Sequence, residues 1–458
     1  MFETKSSHID FSKGPVWRII IAQALPLMLA NLVQLLYNVV DRIYIGHMDG
    51  GESTALTGVG ITFPIVTFIT AFAALFGMGG TPLFSMANGG GNNERAERIL
   101  GNSVKLLLTC AVCLIIVGYA FMKPILYVLG ASDDSYIYAS AYLRVYLAGT
   151  VFSMLTTGLN GYINAQGYPK VGMLTIIIGA VINVILDPIC IFLLGLGVSG
   201  AALATVISQA VSAAWIMYFL IKKAPLRLIR NNIRFDREIT RSICSLGTSN
   251  FVMTGTTCFV QAACNSTLKI YGGDLFIGIM TVLNSIRDIF MLPIHGLVSG
   301  AQPVMSFNYG AKSYERVRSA IKFNTLAGIV YTVTAWLFIV LFPKFWFSVF
   351  TSDAEMITTG IRSLRIYFFG FVFMSLQFAG QSAFQALDDP KHAIFFSLLR
   401  KAVIVIPLTI ILPRFGLGSD GVFIAEPISN AIGGIACYLT MRRTVYKGLT
   451  GRCLSGES

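Results

Sequence analysis

Charge is what this sequence has least of. Only 12% of its residues are Asp, Glu, Lys or Arg while 55% are hydrophobic, and the mean hydropathy is +0.71. A soluble domain carries about a quarter charged residues, so a water-exposed globule is excluded. Histidine is scarce as well, with His8, His47, His295 and His392 scattered singly. Neither the H-E-x-x-H zinc pattern nor the G-x-S-x-G nucleophile pattern occurs, and the chain is not expected to be an enzyme. Strand-like alternation is missing, which excludes a β-barrel. The eight cysteines fall mostly inside apolar runs, and Cys110-x-x-Cys113 lacks the strand–turn–helix setting of a redox pair, so both read as buried thiols.

Long apolar runs are present instead. Runs of about 20 residues can cross a hydrocarbon core about 30 Å thick, and backbone groups satisfied within one segment make such runs helices. Twelve spans are expected, at roughly 16–46, 54–87, 96–121, 137–164, 168–194, 199–222, 238–270, 275–308, 317–342, 357–387, 391–413 and 419–443. The polar first fifteen residues and the long apolar run after them do not read as a cleaved signal peptide. Alternate connecting segments hold most of the basic residues, among them Lys13, Arg95, Lys170, Arg227, Lys312, Arg316, Lys391 and Arg442. The intervening segments hold only Lys123, Lys269, Lys344 and Arg414. The net charge of +12 is therefore topological and places both termini in the cytoplasm, with no nucleic-acid partner expected.

The chain is written twice. A constant offset of 221 positions carries Pro82, Ser85, Gly89, Glu94 and Arg95 onto Pro303, Ser306, Gly310, Glu315 and Arg316. The same offset carries Arg144, Tyr146 and Gly149 onto Arg365, Tyr367 and Gly370, and Gly195-Leu196-Gly197 onto Gly416-Leu417-Gly418. Six spans per half is an even number, so the repeats are parallel, the plan of many transporters. The expected organisation is an N-terminal tail at 1–15, an N-lobe at 16–222, a basic linker at 223–237, a C-lobe at 238–443 and a tail at 444–458. Gly89–Gly91 and Gly310 suit tight turns with positive φ after a helix end. No strand precedes these glycines and no Lys-Ser/Thr follows them, which excludes a nucleotide-binding loop.

Ionisable groups inside spans cost about 2.5–3.5 kcal/mol each and point to function. Asn183 and Asp187 are i and i+4 on one helix face, with Asp187 about 24 Å along its span. Asp41 and Thr205 fall at similar depth on two further spans, so two carboxyls, an amide and a hydroxyl form a hard-oxygen site for a proton or Na⁺. The offset places Ala262, Ile404 and Leu408 opposite Asp41, Asn183 and Asp187, so the second half lacks the cluster. Glu426, opposite Thr205, is either a cation-attracting charge in a cavity or an acid that is protonated or paired with arginine. Arg287-Asp288 is also ambiguous, because neighbours on a helix point different ways and either one can face a partner helix. Pro26 permits a kink in the first span. Gln34, Asn38, Gln261, Asn284, Gln377 and Gln381 are candidate cavity hydrogen-bonding groups, with Phe63, Phe259 and Met291 as apolar lining.

The chain resembles the multidrug and toxic compound extrusion family, nearest its bacterial MepA- and DinF-like branch, over about residues 15–445. The resemblance rests on YNVVDRIYIG at Tyr37–Gly46, NAQGYPK at Asn164–Lys170, INVILDP at Ile182–Pro188, GVSGAALATVIS at Gly197–Ser208 and AQPVMSFNYGAKSYERV at Ala301–Val317. It implies an all-α polytopic membrane protein with twelve transmembrane helices in two parallel-repeat six-helix lobes. It also implies export of amphipathic, mainly cationic compounds by alternating access, in exchange for H⁺ or Na⁺ and with no cofactor. On this resemblance Asp41, Asn183, Asp187 and Thr205 match the N-lobe cation site, and Pro26 matches a helix-bending proline. Some members carry acids in spans seven and ten, and this chain has none there beyond Glu238 at the very start of span seven. The expected setting is a monomer in the cytoplasmic membrane. The alternative is a flippase for a lipid-linked precursor, whose cavity would present several cations to a pyrophosphate.

Overall fold

A computed structural model of the chain describes residues 8–46, 53–351 and 353–454. The described residues are mostly helical and include no strand. In order, the helices are α1 (Val16–Gly46), α2 (Ser53–Gly89), α3 (Asn93–Ala120), α4 (Met122–Val128), α5 (Asp133–Ala148), α6 (Thr150–Ala165), α7 (Pro169–Pro188), α8 (Gly197–Tyr218) and α9 (Arg237–Tyr271). They continue as α10 (Gly273–Gly310), α11 (Tyr314–Leu341), α12 (Pro343–Phe350), α13 (Ala354–Phe368), α14 (Phe373–Ala386), α15 (Pro390–Leu398), α16 (Ile406–Ile411), α17 (Gly418–Met441) and α18 (Lys447–Leu454). Wide π-helical turns extend α7 over Ile189–Leu193 and join α15 to α16 over Leu399–Val405. Each of the twelve expected spans falls on a helix or on a bent run of helical segments. Among the described residues nine helices are long and apolar enough to cross a membrane, or ten with the bent α13–α14 pair counted as one.

Local sequence sets where these helices start. The Asn92 side chain accepts from the Arg95 N–H at 3.0 Å, and Asp389 accepts from that of His392 at 3.3 Å. Ser132 and Ser135 form a reciprocal capping box at the start of α5. Two spans expected as continuous, 137–164 and 357–387, are each broken in the middle. The break between α5 and α6 falls at Gly149, and α13 and α14 meet at 44° around Gly370. A Cβ on Gly149 would stand 2.6 Å from Val206 Cγ1, and one on Gly370 would stand 2.6 Å from the Pro427 Cα. Both glycines let a neighbouring helix press against the break, which period alone cannot reveal.

The chain forms two compact units. The first gathers residues 8–10 with Leu25–Phe251, and the second gathers Phe11–Ala24 with residues 252–454. The boundary inside α1 thus lies between Ala24 and Leu25, one residue short of Pro26, through which the helix runs unbroken. The first core is built on Phe84, Leu100, Leu107 and Tyr162, and the second on Phe347, Phe368, Phe371 and Phe423, all fully buried.

The repeat is more faithful in backbone than in sequence. Left-handed φ values occur at Gly91 (74°), Gly167 (81°), Gly195 (63°) and Gly197 (55°) in the first half. The positions 221 residues on are Lys312 (58°), Asp388 (62°), Gly416 (89°) and Gly418 (51°), all left-handed too. The turn expected at Gly310 is therefore corrected: Gly310 ends α10, and Lys312 takes the positive φ. Because a Cβ costs about 1 kcal/mol in that conformation, Lys312→Gly is expected to stabilise the fold by up to about that amount, read as a higher thermal midpoint.

Candidate functional site

The first unit assembles the four residues expected to act together. α7 and α8 are packed antiparallel neighbours, and α5 lies along α8. Asn183 and Asp187, one turn apart on α7, are 1% and 0% exposed. The Asn183 amide donates to Asp187 Oδ1 at 3.3 Å and lies 3.5 Å from Thr205 Oγ1 on α8. Thr205 directs its own proton to the Ala201 carbonyl at 3.0 Å, so its oxygen stays available as an acceptor. Asp41, partly buried on α1, brings its carboxyl within hydrogen-bonding reach of Asp187.

Two oxygens in this cluster, Asp187 Oδ2 and Asn183 Oδ1, are buried and accept no hydrogen bond. A buried acceptor without a donor costs about 1–3 kcal/mol. Converging carboxyl, amide and hydroxyl oxygens suit a proton or a small hard cation. Among the described residues no group of three or more His, Cys, Asp or Glu forms a transition-metal site.

Sequence reasoning missed the aromatic rim of this cluster. The Tyr142 hydroxyl, on α5, reaches Thr205, and its ring stacks on Tyr146 at 6.0 Å. Tyr37 bonds Gln34 and lies near both Asp41 and Asp187. Tyrosines on apolar helix faces resemble core residues in sequence, so nothing there singled them out.

The remaining candidates divide. Gln261, Asn284 and Glu426 line one cavity in the second unit, together with Arg287, Tyr367 and Lys401. Met291 is 4% exposed within the second core. Gln377 and Gln381 tie α14 to α15 through the Phe396 carbonyl at 3.4 Å and Ser397 Oγ at 2.6 Å. Phe259 is exposed, and Phe63 packs against the first core. The side chain of Asn38 lies outside the described residues.

Glu426 is held by two basic side chains. Arg400 Nη1 and Lys401 Nζ reach its Oε1 at 3.2 and 3.3 Å, and Arg400 also donates to Asn430 Oδ1 at 2.7 Å. The pairing with arginine left open for this acid is present, with a lysine added, and the acid also borders the cavity. Two adjacent basic residues ten positions into an apolar run were the available signal.

Comparisons with known proteins follow the same plan. The MatE family model matches residues 26–189 and 251–411. Multidrug export protein MepA of Staphylococcus aureus (strain MSSA476) is 24% identical over 432 residues, 94% of each chain. A crystal structure of MATE in complex with MaL6 superposes with a TM-score of 0.90 at 25% identity, covering 96% of this chain and 98% of that one. An outward-facing multidrug resistance MATE family transporter of the MOP superfamily gives 0.90 at 25% identity, covering 98% and 99%. With the family model covering both halves of the repeat, the chain belongs to the MatE family and is a multi-pass membrane transporter, not an enzyme.

Proposed function

We propose that the chain is a multidrug efflux antiporter that exports amphipathic, mainly cationic organic compounds in exchange for H⁺ or Na⁺ by alternating access. The observation that carries this reading is the pair of donor-less buried oxygens, Asp187 Oδ2 and Asn183 Oδ1, beside the Asp41 carboxyl. A coupling ion at Asp41, Asn183, Asp187 and Thr205 satisfies those oxygens and neutralises the acids. Coupling then requires that ion and cargo favour different states of the protein, since only differential binding shifts a conformational equilibrium. The N-lobe at 16–222 and the C-lobe at 238–443 are the two bodies of the cycle, joined by the basic linker at 223–237. Pro26 provides a point of bending in α1. The protein works as a monomer in the cytoplasmic membrane, and the distribution of Lys and Arg supports both termini lying inside.

Ethidium efflux from proteoliposomes under a pH gradient and, separately, a Na⁺ gradient tests the proposal. Efflux is expected to accelerate under one of the two and to stop when an ionophore collapses it. No efflux under either gradient would favour the flippase for a lipid-linked precursor.

A further inference from the structure

The second unit holds a charge cluster of the opposite sign, which the coupling cycle does not use. We infer that the cavity bordered by Arg287, Lys401 and Glu426 binds the oxyanion headgroup, carboxylate or phosphate, of an otherwise apolar molecule. The inference stands on this cavity alone and does not rest on the coupling-ion reading.

Charge balance is the first reason. Arg400, Lys401 and Glu426 have side chains only 8%, 7% and 7% exposed, two bases to one acid. Arg287, 17% exposed, is paired at 3.1 Å with Asp288, which is 61% exposed and spends its charge largely on solvent. One buried positive charge is therefore left without a counterion, and a buried uncompensated charge is strongly unfavourable. An anion in the cavity supplies the missing charge.

Donor geometry is the second. Lys401 carries three N–H groups, and the structure gives it one acceptor, Glu426 Oε1 at 3.3 Å. Its remaining donors are buried at the cavity wall. Arg287 is held in place by the Tyr367 hydroxyl at 2.8 Å, which in turn donates to Asn284 Oδ1 at 3.2 Å. The space is about 20 Å³, room for a water or a small oxygen-bearing group. Val260, Met280 and Val422 also border this cavity, whose volume admits the headgroup oxygen and leaves the tail outside it.

The repeat is the third. Positions 221 residues before Arg287, Arg400 and Lys401 hold Val66, Gly179 and Ala180, so none of the three bases has a charged counterpart. Space for Arg400 is made by a matching exchange. Gly433 faces it, where an added Cβ would stand 3.2 Å from Arg400 Cγ. In the first half Ser212 holds the place of Gly433 and faces Gly179, whose added Cβ would stand 2.6 Å from Ser212 Oγ. Arg400 and Lys401 also lie in the π-helical stretch Leu399–Val405. Neighbours on a regular helix point about 100° apart, yet here both reach one carboxylate oxygen.

The test uses the full chain in dodecylmaltoside with a fluorescent probe, 11-(dansylamino)undecanoic acid, and the neutral N-methylamide of the same probe. Wild type is expected to bind the acid about tenfold tighter than the amide, and Lys401→Met to remove the difference. Asp288→Asn changes an exposed acid, frees Arg287 and is expected to tighten acid binding severalfold. It keeps the inference testable where Lys401→Met gives no folded protein. Equal binding of acid and amide by wild type overturns the inference, as does unchanged or weaker acid binding by Asp288→Asn. Displacement by phosphatidic acid but not inorganic phosphate assigns the headgroup to a lipid. Displacement by inorganic phosphate assigns it to a free anion, and displacement by neither overturns the site.

Discussion

Asp187→Asn is expected to slow gradient-driven efflux at least tenfold while leaving the protein folded, and Asp41→Asn is expected to do the same. Asparagine keeps the size of the side chain and one acceptor but cannot carry the charge that a coupling ion neutralises. Loss of a charge-assisted contact is worth about 1.5–3 kcal/mol, roughly tenfold to a hundredfold in ion affinity. Thr205→Ala removes only a neutral oxygen and is expected to cost about fivefold. Stability separates this outcome from a folding defect. Asp187 Oδ2 is buried without a donor, so replacing the carboxyl by an amide relieves a desolvated group. The thermal midpoint of Asp187→Asn should therefore stay or rise while transport falls. Transport at the wild-type rate in both variants would remove the cluster from the coupling cycle.

How much of this was legible in the sequence depends on what each residue costs. A carboxylate in an apolar run is expensive enough to be seen, and the i, i+4 spacing of Asn183 and Asp187 places both on one face. Helix lengths then brought Asp41 and Thr205 to the same depth, and the structure gathers all four. Tyr142 and Tyr37 were invisible because an aromatic ring costs nothing in a span. The basic cluster was half visible: Arg400 and Lys401 are as costly as any acid, but their convergence on Glu426 depends on a π-helical stretch that no periodicity announces. The repeat gave the two-part plan and the turn positions in the first half. It misplaced one turn in the second, because Lys312 adopts a conformation that sequence rules reserve for glycine.

Gly77→Leu is expected to prevent the first unit from folding. α2 and α6 cross backbone to backbone at Gly77 and Gly158, where a Cβ added to Gly77 would stand 2.6 Å from the Gly158 Cα. Nothing at that crossing can move aside, since the obstructing atoms belong to a helix backbone rather than to a flexible side chain. One turn further on, Thr81 fills the space beside Gly161, where an added Cβ would meet Thr81 Oγ1 at 2.7 Å, so the approach extends along both helices. Small residues at this spacing are what allow apolar helices to associate in a bilayer, where hydrophobic burial offers no drive between them. Overpacking by one or two methylenes costs about 1–3 kcal/mol, and a whole isobutyl group at a backbone crossing exceeds that range. Gly77→Ala should lower the thermal midpoint, and Gly77→Leu should abolish the monodisperse peak in size-exclusion chromatography. Gly60 lies on the same helix with nothing within 4 Å of its added Cβ, so Gly60→Leu should behave as wild type. A folded Gly77→Leu protein with an unchanged midpoint would mean that α2 and α6 do not cross as closely as described.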